Sequence, residues 1–122
     1  MTEFEIGEAL TSNMGIVLEA LSIYLTITSA YLIVAYLVGD KLARSQVVVV
    51  STLFIVATLT AVSAMIGHGM RIVEHSQSLA QLNPDRIYTG TMATPVIMTF
   101  LMLSGIVASL KFMWDVRHPK TE

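Results

Sequence analysis

The stretch SQVVVVSTLFIVATLTAVSAMIGHGM, residues 45–70, contains no Asp, Glu, Lys or Arg. Two further runs, residues 20–39 and 87–110, also lack these four residue types. An α-helix needs about 20 mostly apolar residues to cross a hydrocarbon layer about 30 Å thick. Because each run is long enough, the sequence predicts an all-α integral membrane protein with three transmembrane helices.

The overall composition favours the same class. Hydrophobic residues make up 54% of the 122 residues, charged residues only 13%, and the mean hydropathy is +0.70. A soluble domain of this length has too much surface to hide three such runs. The runs are also too long and too continuous for the strands of a membrane barrel. The sequence has no basic patch of the kind that nucleic acid requires, so we do not expect nucleic acid as a partner.

Motifs of catalysis and cofactor binding are absent from the sequence. The chain has no cysteine, which excludes disulfides and thiolate metal sites. It also has no HExxH motif, no Walker loop and no Gly-rich dinucleotide turn. We therefore expect a protein that is not an enzyme and that holds no cofactor or metal within one chain. A metal or haem shared between chains stays open.

The basic residues predict the orientation, because short loops rich in Lys and Arg stay in the cytoplasm. Five lie on the side of the first loop and the C-terminus, and two on the other: Lys41, Arg44, Lys111, Arg117 and Lys120 against Arg71 and Arg86. We expect a single transmembrane domain over residues 1–122 with spans near 14–39, 46–70 and 91–113. Its N-terminus would lie outside and its C-terminus inside, in a bacterial inner (plasma) membrane.

The two connections differ in length. Gly39 can end the first helix as a C-cap, and the short link that follows predicts an antiparallel hairpin of helices one and two. The second connection is longer and polar. Its Asn83-Pro84-Asp85 resembles a helix start, with Asn as N-cap and Pro at the first helical position. This predicts a short surface helix between helices two and three.

Glu19 is an acid within an otherwise apolar flank of the first span. An ionisable residue inside a span is costly and marks a functional site by default. Counted from the middle of the first link, Glu19 lies close to the level of His68 and Arg71 on helix two. We therefore hypothesise that Glu19 pairs with one of these two residues. The alternative is a carboxylate that reaches up to the outer interface or finds a partner near it.

His68, Arg71 and His75 share one face of helix two, at positions i, i+3 and i+7. This pattern is compatible with a metal site, a haem ligand set or an anion-binding patch. The two histidines are, however, two turns apart, about 10 Å along the axis, which is too far for both to bind one metal. The simpler interpretation is a solvated, charged helix end.

Two sets of polar residues follow helical spacing in helix one. One face carries Tyr24, Thr28 and Tyr31, and another carries Glu19, Ser22, Thr26 and Ser29. A hydroxyl within the bilayer requires a partner, and small polar residues let helices approach closely. The two sets therefore predict either helix packing within one chain or a subunit interface or water-lined path.

Three helices cannot enclose a wide cavity, so a pore or substrate site would have to form between chains. We expect a small oligomeric or accessory integral membrane protein that is non-catalytic and acts through helix packing. Its partners would be membrane lipid and either copies of itself or a larger membrane complex. The alternative is an oligomeric channel or transporter-like pore with Glu19 near its outer mouth. A subunit sharing an electron-transfer cofactor is a third, less supported, interpretation.

Overall fold

The computed structural model describes residues 2–82 and 93–119, and this part of the chain is helical. Its three helices are α1 (Glu3–Val38), α2 (Arg44–Leu82) and α3 (Ala93–Arg117). Each helix is long and apolar enough to cross a membrane. The predicted all-α class with three candidate membrane spans is therefore confirmed for the described residues.

Helix α1 begins well before the expected span. It starts at Glu3 rather than near Met14, because Thr2 and Glu5 form a capping box. The Thr2 side chain accepts the Glu5 N–H at 3.2 Å, and the Glu5 carboxylate accepts the Thr2 N–H at 2.9 Å. Two otherwise unpaired backbone donors are satisfied in this way. The 36 residues of α1 span about 54 Å, more than the bilayer core requires.

Gly39 is the C-cap of α1, as predicted, and its N–H donates to Ala35 O at 3.0 Å. It keeps a right-handed conformation rather than the left-handed one typical of glycine caps. The link to α2 is short, and the Ala43 N–H donates to Gln46 Oε1 at 2.8 Å. The side chain of Gln46 therefore satisfies a backbone donor at the start of α2.

Helix α2 runs without interruption through Gly67 and Gly69 to Leu82. A Cβ atom added at Gly69 would lie 3.4 Å from the Cβ of Pro95, so α2 and α3 approach closely here. Pro95 stands in the first turn of α3, where its missing N–H is not needed. The short helix predicted from Asn83 lies outside the described residues.

The three helices share one buried seam. Ala35 of α1 and Thr58 of α2 have no exposed surface, and Met113 of α3 is 2% exposed. The rings of Tyr31 and Phe54 stack with centroids 4.1 Å apart and planes 15° from parallel. Large apolar side chains such as Leu53 and Phe100 point outward instead. Such an outer surface matches lipid rather than water as the surroundings.

Candidate functional site

A polar contact between α1 and α2 joins Asn13 to His68. His68 Nδ1 lies 2.8 Å from Asn13 Oδ1, and Asn13 Nδ2 donates to Ala9 O at 2.8 Å. Because the amide nitrogen is used on Ala9, the amide oxygen accepts, and His68 Nδ1 carries the proton. The contact therefore requires a proton on Nδ1 and does not involve Nε2. Asn13 is buried, and His68 is half-buried.

Glu19 does not take part in this contact. Its side chain is exposed, and within residues 2–82 and 93–119 it forms no hydrogen bond or ion pair with His68 or Arg71. The hypothesis of such a pair is not supported, because the register of α1 on α2 sets Asn13 opposite His68. Glu19 is six residues farther along α1, or about 9 Å at 1.5 Å per residue.

Within the described residues, the side chains of the other two members of the predicted cluster form no hydrogen bond or ion pair. Arg71 is exposed and His75 is half-buried on α2. Among the described residues, no group of three His, Asp or Glu side chains could hold a metal ion. Of the four predicted residues, only His68 forms a hydrogen bond between helices within the described part of the chain. Its partner Asn13 escaped the sequence reasoning, because that reasoning began the first helix at Met14.

We expect Asn13→Ala to lower the free energy of unfolding in detergent by about 1 kcal/mol, the scale of a hydrogen bond between membrane helices. The physical reason is that His68 Nδ1–H loses its acceptor. His68→Phe would remove the same bond from the other side. Their double variant would then be less destabilised than the sum of the two single effects. Fully additive losses in a denaturant titration would contradict the contact.

The inward polar face of α1 is used within the chain. Tyr24 Oη donates to Met102 O of α3 at 2.7 Å, and Tyr31 Oη lies 2.9 Å from Ser51 Oγ of α2. Both tyrosines are buried, and Thr28 between them is half-buried. The predicted set Tyr24, Thr28 and Tyr31 thus serves packing in one protomer. Its two hydroxyl bonds connect α1 to each of its neighbours.

Within the described residues, the outward polar face of α1 forms no hydrogen bond to α2 or α3. Glu19, Ser22, Thr26 and Ser29 are all exposed. Because α1 begins at Glu3, the same face continues toward the N-terminus with more small or polar residues. We call the whole set the polar stripe, and every member is exposed: Glu8, Ser12, Gly15, Glu19, Ser22, Thr26 and Ser29. Their spacing alternates between four and three residues throughout.

A cavity of about 470 Å³ lies between the start of α2 and the end of α3. We call it the basic groove, and its lining consists of Tyr31, Arg44, Val47, Val48, Ser51, Leu110, Met113, Trp114, Arg117 and His118. The His118 ring stacks on Trp114, with centroids 4.0 Å apart. Sequence reasoning used Arg44 and Arg117 only as signs of orientation. It missed the groove, because two segments far apart in the chain form it.

Arg117 connects α3 to the link between α1 and α2. Its Nη1 donates to Gly39 O at 2.9 Å and to Leu42 O at 2.7 Å. Carbonyls at a helix C-terminus lack partners within the helix and carry negative partial charge. The half-buried guanidinium therefore satisfies one end of α1 while forming part of the groove wall. A guanidinium has five N–H groups, so Nε and Nη2 remain as further donors.

Comparison of the chain with protein families, with curated proteins and with solved structures found no match. The geometry of the described residues is consequently the basis for any functional assignment.

Proposed function

We propose that this chain is a small, non-catalytic integral membrane protein that assembles with copies of itself through the polar stripe of α1. The observation that carries the proposal is the exposure of all seven stripe residues on a helix whose other polar face is buried. Within the expected span this stripe would expose one carboxylate, Glu19, and the three hydroxyls of Ser22, Thr26 and Ser29 to lipid, which is unfavourable. Contact with a second copy would remove them from lipid.

The spacing of the stripe supports helix-to-helix contact. Intervals of four and three residues repeat every seven, the period at which two helices stay in contact along a left-handed supercoil. Small residues such as Gly15 and Ser22 allow backbones to approach closely in a membrane. Glu19 lies at the middle of the stripe. Between two copies its carboxyl group would face hydroxyls and a second carboxyl group rather than acyl chains.

The proposal includes the topology predicted from the sequence. Helices α1 and α2 form an antiparallel hairpin, with the N-terminus outside and the loop and C-terminus in the cytoplasm of a bacterial cell. The contacts of Asn13 with His68 and of Tyr31 with Ser51 support the hairpin. Lys41, Arg44 and Arg117 at one end support the orientation.

Cysteine cross-linking tests the proposed interface, and the chain provides a clean background because it has no cysteine. We expect Ser22→Cys to give a disulfide-linked dimer in membranes under mild oxidation. Ile23→Cys is the matched control. Ile23 is 47% exposed at the same depth but lies about 100° around the helix. Equal cross-linking at both positions, or at neither, would contradict the polar stripe as the interface.

Two variants of Glu19 separate its possible roles in assembly. We expect Glu19→Gln to preserve the oligomer in mild detergent, because an amide can form hydrogen bonds across the interface as a carboxyl group does. Glu19→Leu removes these bonds and is expected to weaken association by about 1 kcal/mol, or about fivefold. Size-exclusion chromatography with light scattering measures both. Stronger association of the Leu variant would overturn this role.

A pore is the second candidate function, and the hydroxyls of Ser22, Thr26 and Ser29 on the side of Glu19 favour it. In a ring of chains, this face would line an axial path with carboxylates at one level. Reconstitution in liposomes distinguishes the candidates. A pore predicts cation flux that Glu19→Gln reduces, whereas a purely structural oligomer gives none. Recovery of the chain only with a different, larger membrane protein would favour an accessory subunit.

A further inference from the structure

We infer that the basic groove binds one anionic phospholipid, with the phosphate at the groove mouth and the upper part of an acyl chain along its apolar wall. The inference rests on the membrane location in the proposed function and not on self-assembly. The volume of about 470 Å³ lies within the range of about 300–1,000 Å³ common for small-molecule sites.

The basic residues of the groove lie at the ends of α2 and α3. Arg44 opens α2, while Arg117 and His118 close α3. Arg117 also bonds the carbonyls of Gly39 and Leu42, which fixes its guanidinium beside the link. Arginine can bind a phosphate through two parallel N–H bonds. Basic pockets between membrane helices on the cytoplasmic side are a recurrent form of anionic-lipid site.

Among the residues that the structure describes, none that lines the groove carries a carboxylate. Asp115 is the nearest acid on α3, but it is paired with Lys111 at 2.7 Å. At 100° per residue, Asp115 points about 150° away from the mean direction of the groove-lining residues of α3. Asp40 lies in the exposed link and is not a lining residue either. The electrostatic character of the mouth is therefore set by its cations.

The groove is basic at its mouth and has apolar walls below it, which suits the head group and the acyl chain of a lipid. Below the cations the walls are apolar, formed by Val47 and Val48 on one side and by Leu110 and Met113 on the other. Ser51 lies about 10 Å deeper than Arg44 along α2, and its hydroxyl is already paired with Tyr31 Oη at 2.9 Å. A phosphate at the level of Arg44 would thus have its acyl chain directed toward the bilayer centre. A soluble anion would leave these walls uncovered.

Native mass spectrometry of the full chain in mild detergent tests the inference. Samples are titrated with phosphatidylglycerol, with phosphatidylcholine or with inorganic phosphate. We expect one retained phosphatidylglycerol per chain and a raised thermal unfolding midpoint with that lipid. Equal retention of phosphatidylcholine would overturn the inference. So would inorganic phosphate that displaces the lipid completely and raises the midpoint equally.

Two matched pairs of variants locate the site. Arg44→Gln is expected to weaken phosphatidylglycerol binding about fivefold, the effect of one basic residue near an anionic surface. Lys41→Gln removes a positive charge from the adjoining link, outside the groove, and would leave binding unchanged. Equal weakening by both would mean diffuse attraction and would overturn the site.

The second pair tests the apolar wall without altering charge. Val48 lines the groove and is 58% exposed, whereas its neighbour Val49 is 57% exposed and does not line it. We expect Val48→Trp to fill the groove and abolish lipid retention, and Val49→Trp to retain it. Retention by both variants would overturn the inference. Cross-linking of Ser22→Cys in the same samples reports self-assembly separately, so failure of either proposal is recognisable.

Discussion

Gly105→Ala is expected to lower the free energy of unfolding by about 1–3 kcal/mol, the usual range for forcing an extra methyl group into a packed interior. A Cβ atom at position 105 would collide with the hydroxyl oxygen of Tyr24. That hydroxyl cannot move away freely, because it donates to Met102 O at 2.7 Å in the buried seam. Relief of the collision therefore requires either loss of this bond or separation of α1 from α3.

Tyr24→Phe makes the test specific. Alone, it would destabilise by about 1 kcal/mol, because one buried hydrogen bond between helices is lost. With the hydroxyl gone, the new Cβ would meet only the Cζ position of the ring, at an ordinary 3.6 Å. Gly105→Ala would then be neutral or stabilising in that background, since Ala favours helix over Gly by about 1 kcal/mol.

Denaturation in mixed micelles, followed by circular dichroism, measures this cycle. Gly67→Ala is the matched control, because no atom of the described residues lies within 4 Å of a Cβ added there. It is expected to be neutral or slightly stabilising. If Gly105→Ala were tolerated as well as Gly67→Ala, or if its cost were unchanged beside Tyr24→Phe, the described contact of α1 with α3 would be wrong.

Arg117→Gln is expected to destabilise the chain by about 2 kcal/mol, within the range for hydrogen bonds from a charged donor. The substitution removes the two bonds from Nη1 to Gly39 O and Leu42 O. It leaves these carbonyls without the cation that faces them. Amide exchange in the link, residues 40–43, would become faster, because α3 no longer holds it.

Lys111→Gln is the control for a basic residue on the same helix. Its ion pair with Asp115 is exposed, with side chains 72% and 51% accessible, so its loss would change stability by less than about 1 kcal/mol. Arg117→Lys keeps the charge but not the fork of donors, and would recover only part of the stability. Equal effects of Arg117→Gln and Lys111→Gln would contradict the role of Arg117.

The helical class was predictable because lipid permits few solutions. Uncharged runs long enough to span a bilayer must satisfy their own backbone hydrogen bonds, and helices do so locally. The early start of α1 was also readable in principle, since Thr2 and Glu5 have capping-box spacing. The helical spacing of Tyr24, Thr28 and Tyr31 identifies them as one polar face. The spacing does not show whether that face packs within one chain or lines a subunit interface.

The contacts of the candidate sites were not predictable in the same way. Counting residues from the link predicts that Glu19 lies near His68. In the structure, Asn13 is the residue of α1 that contacts His68. A shift of a few residues in the register of two helices exchanges one partner for another without changing the hydrophobic pattern. The basic groove depends on residues 44 and 117 being adjacent, which the spacing of either segment does not encode.

The sequence by itself determined that the chain forms long apolar helices suited to lipid. The length of each uncharged run and the hydrogen bonding of its backbone are local properties of the sequence. Only the tertiary structure decided which polar face of α1 is buried and which faces outward. It also decided that Tyr24 closes over Gly105, that Asn13 meets His68 and that Arg117 holds the end of α1. These pairings depend on side-chain fit between surfaces that are equally apolar, so only the packed arrangement distinguishes them.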